Sequence, residues 1–389
     1  MKFKDLFSFK KPVATVQTAQ AAEHPFRAFM SYTPLMTPDC RLYAAMRESV
    51  PLIDAALDKI VRLTGGFNVV AETPARQHLL DAFVRGVKVG PCSTGLYQFM
   101  CVYLNSLLTY GNAVGEIVLT SDGSEIAALY NADLSDVQIR RGNTALDVEI
   151  CTRDGIEFIP VKYPELVLFT PLTPPPGEFL GVSLLRSLPF VTSILLKIFH
   201  STGVNFQRIA NLRYAVTYKP GNTGLDKAYA KDIAEAISTE WASAMQSTSS
   251  GIIKDFVAVG DVEIKVIGAD NQMIETEVPV RQMLEQIIAK LGIPPFMLGL
   301  HWSSTERMSS QQADILTSEL ESYRRTLESI IVKICETHLR LKGFGDSVSV
   351  VWDDINLQDE VETANARYIE AQAALLESRA KNGERGEKQ

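Results

Sequence analysis

The stretch Leu104–Gly142, LNSLLTYGNAVGEIVLTSDGSEIAALYNADLSDVQIRRG, decides how this chain folds. Up to Tyr110 its apolar residues recur at helical spacing, closing a helix predicted over Thr94–Tyr110. Gly111 stops that helix, because glycine enters the left-handed cap without a Cβ penalty. From Ala113 the period drops to two. AVGEIVLT, EIAALY, VQIRR, LDVEICT and IEFIPV follow one another, separated by DG, NA, RGN and RDG turns. Alternation of this kind, punctuated by turn residues, predicts an antiparallel sheet region that ends near Thr170.

Upstream, Leu42, Met46, Val50, Ile53, Leu57, Ile60 and Val61 mark a helix over 41–64, with Pro51 as a kink or a restart. Another helix covers Ala75–Val84. Downstream, PLTPPPGEFLG forms a Pro-rich joint. Beyond it Leu188, Val191, Leu195, Ile198, Phe206, Ile209 and Leu212 lie along one face of a helix predicted over Val182–Arg213. Lys197, His200, Asn205, Gln207 and Arg208 occupy the other face. A small α/β module comes next: strand RYAVTYK, helix Leu225–Met245, then strands IIKDFVAV and VEIKVIG. The helix Val278–Leu291 has Pro279 in its first turn and Gly292 just past its end. A last long helix runs from Glu306 or Ser309 to Leu341, with a packing stripe of Leu316, Leu320, Tyr323, Leu327, Ile331 and Ile334. A strand VSVVW and a helix over Gln358–Ala380 complete the pattern.

Composition narrows the function. The 389 residues carry a net charge of -8. That opposes a surface built to grip nucleic acid, whose affinity comes from Lys and Arg on phosphates. No apolar run reaches the length of a membrane span, and MKFKDLFSFKK reads as a mobile terminus rather than an anchor. The five cysteines show no paired spacing, as expected for reduced thiols.

Chemistry is sparse. No His sits in a metal-ligand spacing, and no phosphate-binding glycine motif is present. Gly181-Val182-Ser183 lacks the second glycine of a nucleophile elbow. His301 beside Ser303 and Ser304 suggests a hydrolase, but adjacency in sequence supplies neither a base in reach nor a group to orient it. Polar residues on a loop and helix cap explain them as well. Asp353, Asp354 and Glu360 read as acids at a helix N-terminus rather than a cation site. Trp302 either packs under its loop or is presented to a partner. On the Leu225–Met245 helix, alternating charges give a solvated face, with a docking surface as the alternative.

Four motifs in one order resemble the portal proteins of tailed bacteriophages of the HK97 type. They are the basic-aromatic start MKFKDLFSFKK; the helix, then Gly111-Asn112-Ala113, then strand-turn-strand; the passage into the long helix with Gly181, Ser183 and Leu184; and IIAKLGIPPFMLG at Ile287–Gly299. Val114 departs from the aromatic often found after Gly-Asn-Ala, and Gly115 from the usual β-former.

The resemblance implies an α+β, mainly helical, multi-domain fold with a small antiparallel β region. It implies a flexible arm at 1–40, a wing at 41–181, a first stem helix at 182–213, an α/β clip at 214–275 and a second stem helix at 276–292. A tunnel loop at 293–309, a wing and crown helix at 310–342 and a crown helix with tail at 343–389 follow. It also implies a dodecameric ring at one vertex of the virion capsid, assembled in the host cytoplasm. Double-stranded DNA passes through its channel during packaging and ejection. Its partners would be the terminase large subunit, a head-tail adaptor, and the major capsid and scaffolding proteins, with no membrane, metal or cofactor and no catalytic activity. Leu300, His301, Trp302, Ser303, Ser304, Thr305, Glu306 and Arg307 would face the channel. Lys197, His200, Asn205 and Arg208 would form the stem's polar face. Asp226, Lys227, Lys231, Asp232, Glu235 and Trp241 would form the clip's docking surface. The rivals are the hydrolase and a protein-binding scaffold that makes no channel.

Overall fold

The computed structural model describes residues 38–142, 144, 147–155, 157–210, 213–218, 229, 231, 232, 235–240, 242, 262–267, 275–300, 306–345, 347–355 and 372. The chain divides into two units, residues 1–192 with 284–389, and residues 193–283.

The first unit opens with two helices, α1 (Pro38–Ser49) and α2 (Pro51–Leu63), so Pro51 marks a restart rather than a kink. Val50 is extended, and Pro51, with no N–H to donate, restarts the helix at its first turn. Strand β1 (Phe67–Ala71) has no counterpart in the sequence reading. Helices α3 (Pro74–Gly86) and α4 (Leu96–Tyr110) follow, and Gly111 caps α4 in the left-handed conformation at φ 78°. Helix α4 is the hub. It packs on α1, α2, α3 and the sheet, burying Leu96, Phe99, Tyr103, Leu104 and Leu107 almost completely. Each such side chain contributes about 1.5–3 kcal/mol.

The expected sheet region is two small sheets. Strands β2 (Asn112–Leu119), β3 (Ile126–Asn131) and β7 (Val167–Pro171) make one, in the order β3-β2-β7. Strands β4 (Val137–Arg141), β5 (Val148–Asp154) and β6 (Glu157–Pro160) make the other. All pairings are antiparallel. Val114 and Val167 from the first share a core with Val137, Ile139 and Ile150 from the second. Gly115 has its reason here: an added Cβ would stand 2.7 Å from the ring of Phe99, so a larger residue would push α4 off the sheet.

Helix α5 spans Pro189–Ala210, not 182–213. Residues 182–188 are instead held by hydrogen bonds to α4 and to Leu172, just past β7, and Pro189 begins the helix. After β8 (Arg213–Tyr218) and β9 (Val262–Ile267), an antiparallel pair, α6 covers Glu277–Leu291 and ends at Gly292, φ 69°. Helix α7 covers Glu306–Leu341, and its expected stripe is buried apart from half-buried Tyr323. Strand β10 (Val348–Trp352) pairs with β1. Arg324 of α7 closes this corner. Its Nε donates to the Thr64 carbonyl at 2.8 Å, and its guanidinium lies 5.1 Å from the Trp352 ring centre. The predicted strand 252–259 and the capping box at Ser303 lie outside the described residues, as does the helix over 358–380 except for helical Gln372.

All five cysteines are free: Cys40, Cys151 and Cys335 are buried, Cys101 half-buried, and Cys92 exposed between α3 and α4. Burial pushes the Cys335 thiol up to about 12 and raises those of Cys101 and Cys151. Among the described residues no helix is long and apolar enough to cross a membrane.

His338 of α7 stacks on Phe83 of α3 with ring centres 4.0 Å apart. Burial, and then Lys342, lowers its pKa from 6.5 to about 4, with Glu125 opposing. A depressed base folds neutral, so its contribution is fully present above pH 6.5 and fades as pH falls toward 4. Between pH 8 and 5 the wild type is expected to lose about 2 kcal/mol more than His338→Gln. Urea titrations at both pH values check this; parallel pH profiles would show that His338 is hydrated or charged in the fold.

Candidate functional site

Two of the four sequence motifs that carry the family resemblance, Gly111-Asn112-Ala113 and Gly181 to Leu184, converge on one joint. It stitches the end of α4 to the start of β2 and to the segment after β7. The Leu172 N–H donates to the Gly111 carbonyl, and the Val182 N–H to that of Leu172, both at 2.8 Å. Asn112 Oδ1 accepts from the Gly181 N–H at 2.9 Å. Leu184 N–H reaches the Leu108 carbonyl at 3.1 Å. The Ser183 hydroxyl donates to the Thr109 carbonyl at 2.7 Å and accepts from Leu185 N–H at 2.9 Å. Ser183 is buried and both bonds go to main chain, so it satisfies backbone groups and is not poised as a nucleophile.

Two polar groups brace this joint. Arg47 of α1 donates through Nε to Asp54 of α2 at 2.8 Å, and through Nη1 to Thr109 of α4 at 2.7 Å and to Asn105. The Tyr103 hydroxyl, fully buried, shares its hydrogen between Thr170 Oγ1 at 2.8 Å and the Ala113 carbonyl at 3.2 Å. Burial raises its pKa, and the bond to Thr170 opposes this. Tyr103→Phe is expected to cost about 1–2 kcal/mol, because Thr170 stays buried with one partner fewer. Thermal denaturation reads this directly, and an unchanged melting temperature would mean that the hydroxyl bonds contribute nothing net.

The expected channel loop is described only at its flanks. The motif at Ile287–Gly299 places its apolar residues Ile287, Ile288, Leu291 and Ile293 in the core. Pro295–Leu298 then form a 3-10 turn closed by Gly299 at φ 75°. Lys59 of α2 donates to the Met297 carbonyl, pinning the turn to the first unit. Leu300 is half-buried, with its N–H on the Pro295 carbonyl at 3.1 Å. Residues 301–305, with His301, Trp302, Ser303, Ser304 and Thr305, lie outside the described residues, and with them any arrangement of His301 and a serine. Glu306 and Arg307 are the first residues of α7. Past them, Met308 and Ile315, one heptad apart, are 48% and 64% exposed.

Along α5 the expected stripe divides. Leu188, just before the helix, and Leu195 are at most 2% exposed, Val191 and Ile198 are half-buried, and Phe206 is 54% exposed; Phe199, outside the expected stripe but on the same side as Phe206, is 49% exposed. Lys197 and His200 are exposed and Asn205 half-buried, while the side chain of Arg208 is not described. In the second unit Lys231, Asp232 and Glu235 are exposed helical residues, and Lys231 pairs with Glu235 at 3.9 Å. That pair is a solvated one of small energetic value. Asp226, Lys227 and Trp241 lie outside the described residues. Among those described, no group of three His, Cys, Asp or Glu is placed to hold a metal ion.

The joint was the feature that sequence reasoning missed. Its signal was present in Gly111-Asn112 and Gly181-x-Ser183, two turn-like motifs far apart in sequence.

No protein-family model and no curated protein sequence matches the chain. Solved structures do. A chain in the neck of an empty gene transfer agent (GTA) particle, computed with C6 symmetry, superposes with a TM-score of 0.66 at 14% identity, covering 89% of this chain and 93% of that one. A chain in the neck of the native GTA particle, computed with C12 symmetry, gives 0.60 at 14% identity, covering 84% and 89%. A weaker likeness, TM-score 0.42 at 14% identity over 78% and 92%, is to an HK97 family phage portal protein from Corynebacterium diphtheriae, too low a score to bear on the fold. By its fold the chain groups with chains of the GTA neck, and by its sequence motifs it resembles the portal proteins of tailed phages.

Proposed function

We propose that the chain is a portal subunit, a structural protein that forms a dodecameric ring at one capsid vertex. Double-stranded DNA passes through the ring during packaging and ejection. The observation that carries this reading is the fold likeness to a neck chain over nearly the whole length of both chains. The C12 symmetry of the native GTA neck supports twelve copies. The bare Phe199 and Phe206 support burial between copies, since exposed aromatic rings on a rod-like helix call for a partner.

In this reading residues 41–181 form the wing, α5 and α6 the stem helices, 214–275 the clip and 343–389 the crown. The clip surface with Lys231, Asp232 and Glu235 meets the terminase large subunit and then the head-tail adaptor. The wing and crown meet the major capsid and scaffolding proteins. The loop from Leu300 to Arg307 faces DNA. It touches phosphates through hydroxyls and a single cation, Arg307, beside Glu306. The net charge of -8 suits a ring past which DNA must slide without tight phosphate contacts. The subunit does no chemistry, and a separate ATPase drives translocation.

Native mass spectrometry with negative-stain imaging tests the ring. Twelve chains of 43.0 kDa give 516 kDa. A species near that mass with a stain-filled centre is the expected result. A protein that stays monomeric at every concentration, alone and with its capsid proteins, overturns the ring.

A further inference from the structure

Among the described residues ten have a positive φ, and nine of them are glycines. The tenth is Thr173, at φ 40°. A β-branched residue in the left-handed region crowds its own backbone, and a proline after it, here Pro174, restricts it further. The chain uses glycine for this purpose four residues on, at Gly177, φ 79°. The Thr173 side chain offers no compensation. It is exposed and, among the described residues, makes no hydrogen bond. Such strain persists only where the surroundings over-determine the backbone.

The surroundings are fasteners at both ends of a loop. The Leu172 N–H and carbonyl are both engaged, by the Gly111 carbonyl and the Val182 N–H. The Gly181 N–H is held by Asn112 Oδ1. The Leu172–Val182 bond thus closes the neck of a loop over residues 173–181. The body of that loop is stiff. Pro174, Pro175 and Pro176 have fixed φ, and the Glu178 N–H closes a turn on the Pro175 carbonyl at 2.9 Å. Arg141 of β4 steadies its far side, donating to the Gly177 carbonyl at 2.6 Å with its guanidinium 5.8 Å from the Phe179 ring centre. Phe179 and Leu180 pack on the core that the two sheets share.

A stiff body strained at its first residue relaxes when its neck opens. The strain therefore favours that opening over others in the joint. Ser183 and Leu184 lie past the neck, and their bonds to α4 do not depend on it.

We propose that residues 173–181 form a strap that opens as a unit at the Leu172–Val182 neck while the joint to α4 stays closed, and that the strain at Thr173 sets how often it opens. Opening breaks the Val182–Leu172 and Gly181–Asn112 bonds, lets Thr173 return to negative φ, and lifts Phe179 and Leu180 from the core.

Hydrogen exchange of the full chain, resolved to single amides by fragmentation in the mass spectrometer, tests this at Gly181, Val182 and Leu184. In the wild type Gly181 and Val182 are expected to exchange faster than Leu184, whose bond runs to α4. Thr173→Gly is expected to slow Gly181 and Val182 by about fivefold or more and to leave Leu184 unchanged. That direction opposes the usual effect of a new glycine, which loosens the chain. Thr173→Asn, which tolerates the left-handed region, is expected to slow them less. Thr173→Val keeps the β-branch without the hydroxyl and is expected to change nothing. Unchanged or faster exchange at Gly181 and Val182 in both the Gly and Asn variants overturns the proposal. So does equal slowing at Leu184, which would mean that the whole joint opens together.

Discussion

Gly181→Ala is expected to cost about 3–5 kcal/mol, a large share of the stability of a typical domain. The reason is a backbone-on-backbone contact. An added Cβ would stand 2.1 Å from the Gly111 carbonyl oxygen, 2.2 Å from the Leu172 nitrogen and 2.8 Å from the Leu172 oxygen. No side chain can swing aside to relieve this. The segments must part, and parting breaks the Leu172–Gly111 and Val182–Leu172 bonds, each worth about 1 kcal/mol net. Overpacking strain adds about 1–3 kcal/mol. Gly86→Ala is the control, because nothing lies within 4 Å of its Cβ position. Chemical denaturation of both variants decides the matter. A Gly181→Ala chain within about 1 kcal/mol of wild type would mean that the joint is far looser than its hydrogen bonds imply.

The second large effect is on assembly. Phe199→Asp and Phe206→Asp are each expected to leave the subunit folded and to abolish the ring. Both rings are about half exposed in the single chain, so the fold loses little when they go. In the proposed ring the same positions are covered by a neighbour, where an unpaired carboxylate costs several kcal/mol at every interface. Leu195→Asp separates the two effects, because Leu195 is fully buried within the chain. It is expected to destabilise the subunit itself. Native mass together with circular dichroism distinguishes these outcomes. Rings of normal yield from Phe206→Asp would place that face in solvent and remove the main physical support for subunit packing along α5.

The helices were legible because their signals are local. Gly111 and Gly292 stop α4 and α6 where an α-helix needs a residue at positive φ, and the Leu316–Ile334 stripe declares the buried face of α7. Strands β2 to β6 were legible from alternation, but β7 was not read as a strand, nor was the division into two sheets, since both read alike along the chain. Strand β1 escaped notice because five residues with only Val69 buried carry little pattern, and its partner β10 lies near the other end of the sequence. The start assigned to α5 at Val182 lies ahead of its periodic stripe, which begins at Leu188, and the helix itself begins at Pro189. Only the hydrogen bonds of Ser183 and Leu184 to α4 show that this part is tied down before Pro189 begins the helix. Of the candidate site, motif positions were readable and their roles were not. Gly181 and Ser183 look like a site in sequence and are a fastening in space.

The five free thiols make the protein ready for optical work without further cysteine removal. Cys92 is exposed, while the other four are wholly or partly covered and at least three of them hold their protons more tightly than an open thiol. Cys92 is therefore the thiol that a maleimide dye reaches most readily. One dye attaches per chain, in a turn between two well-packed helices. Counting photobleaching steps in single particles then reads the number of subunits directly, independent of any mass measurement.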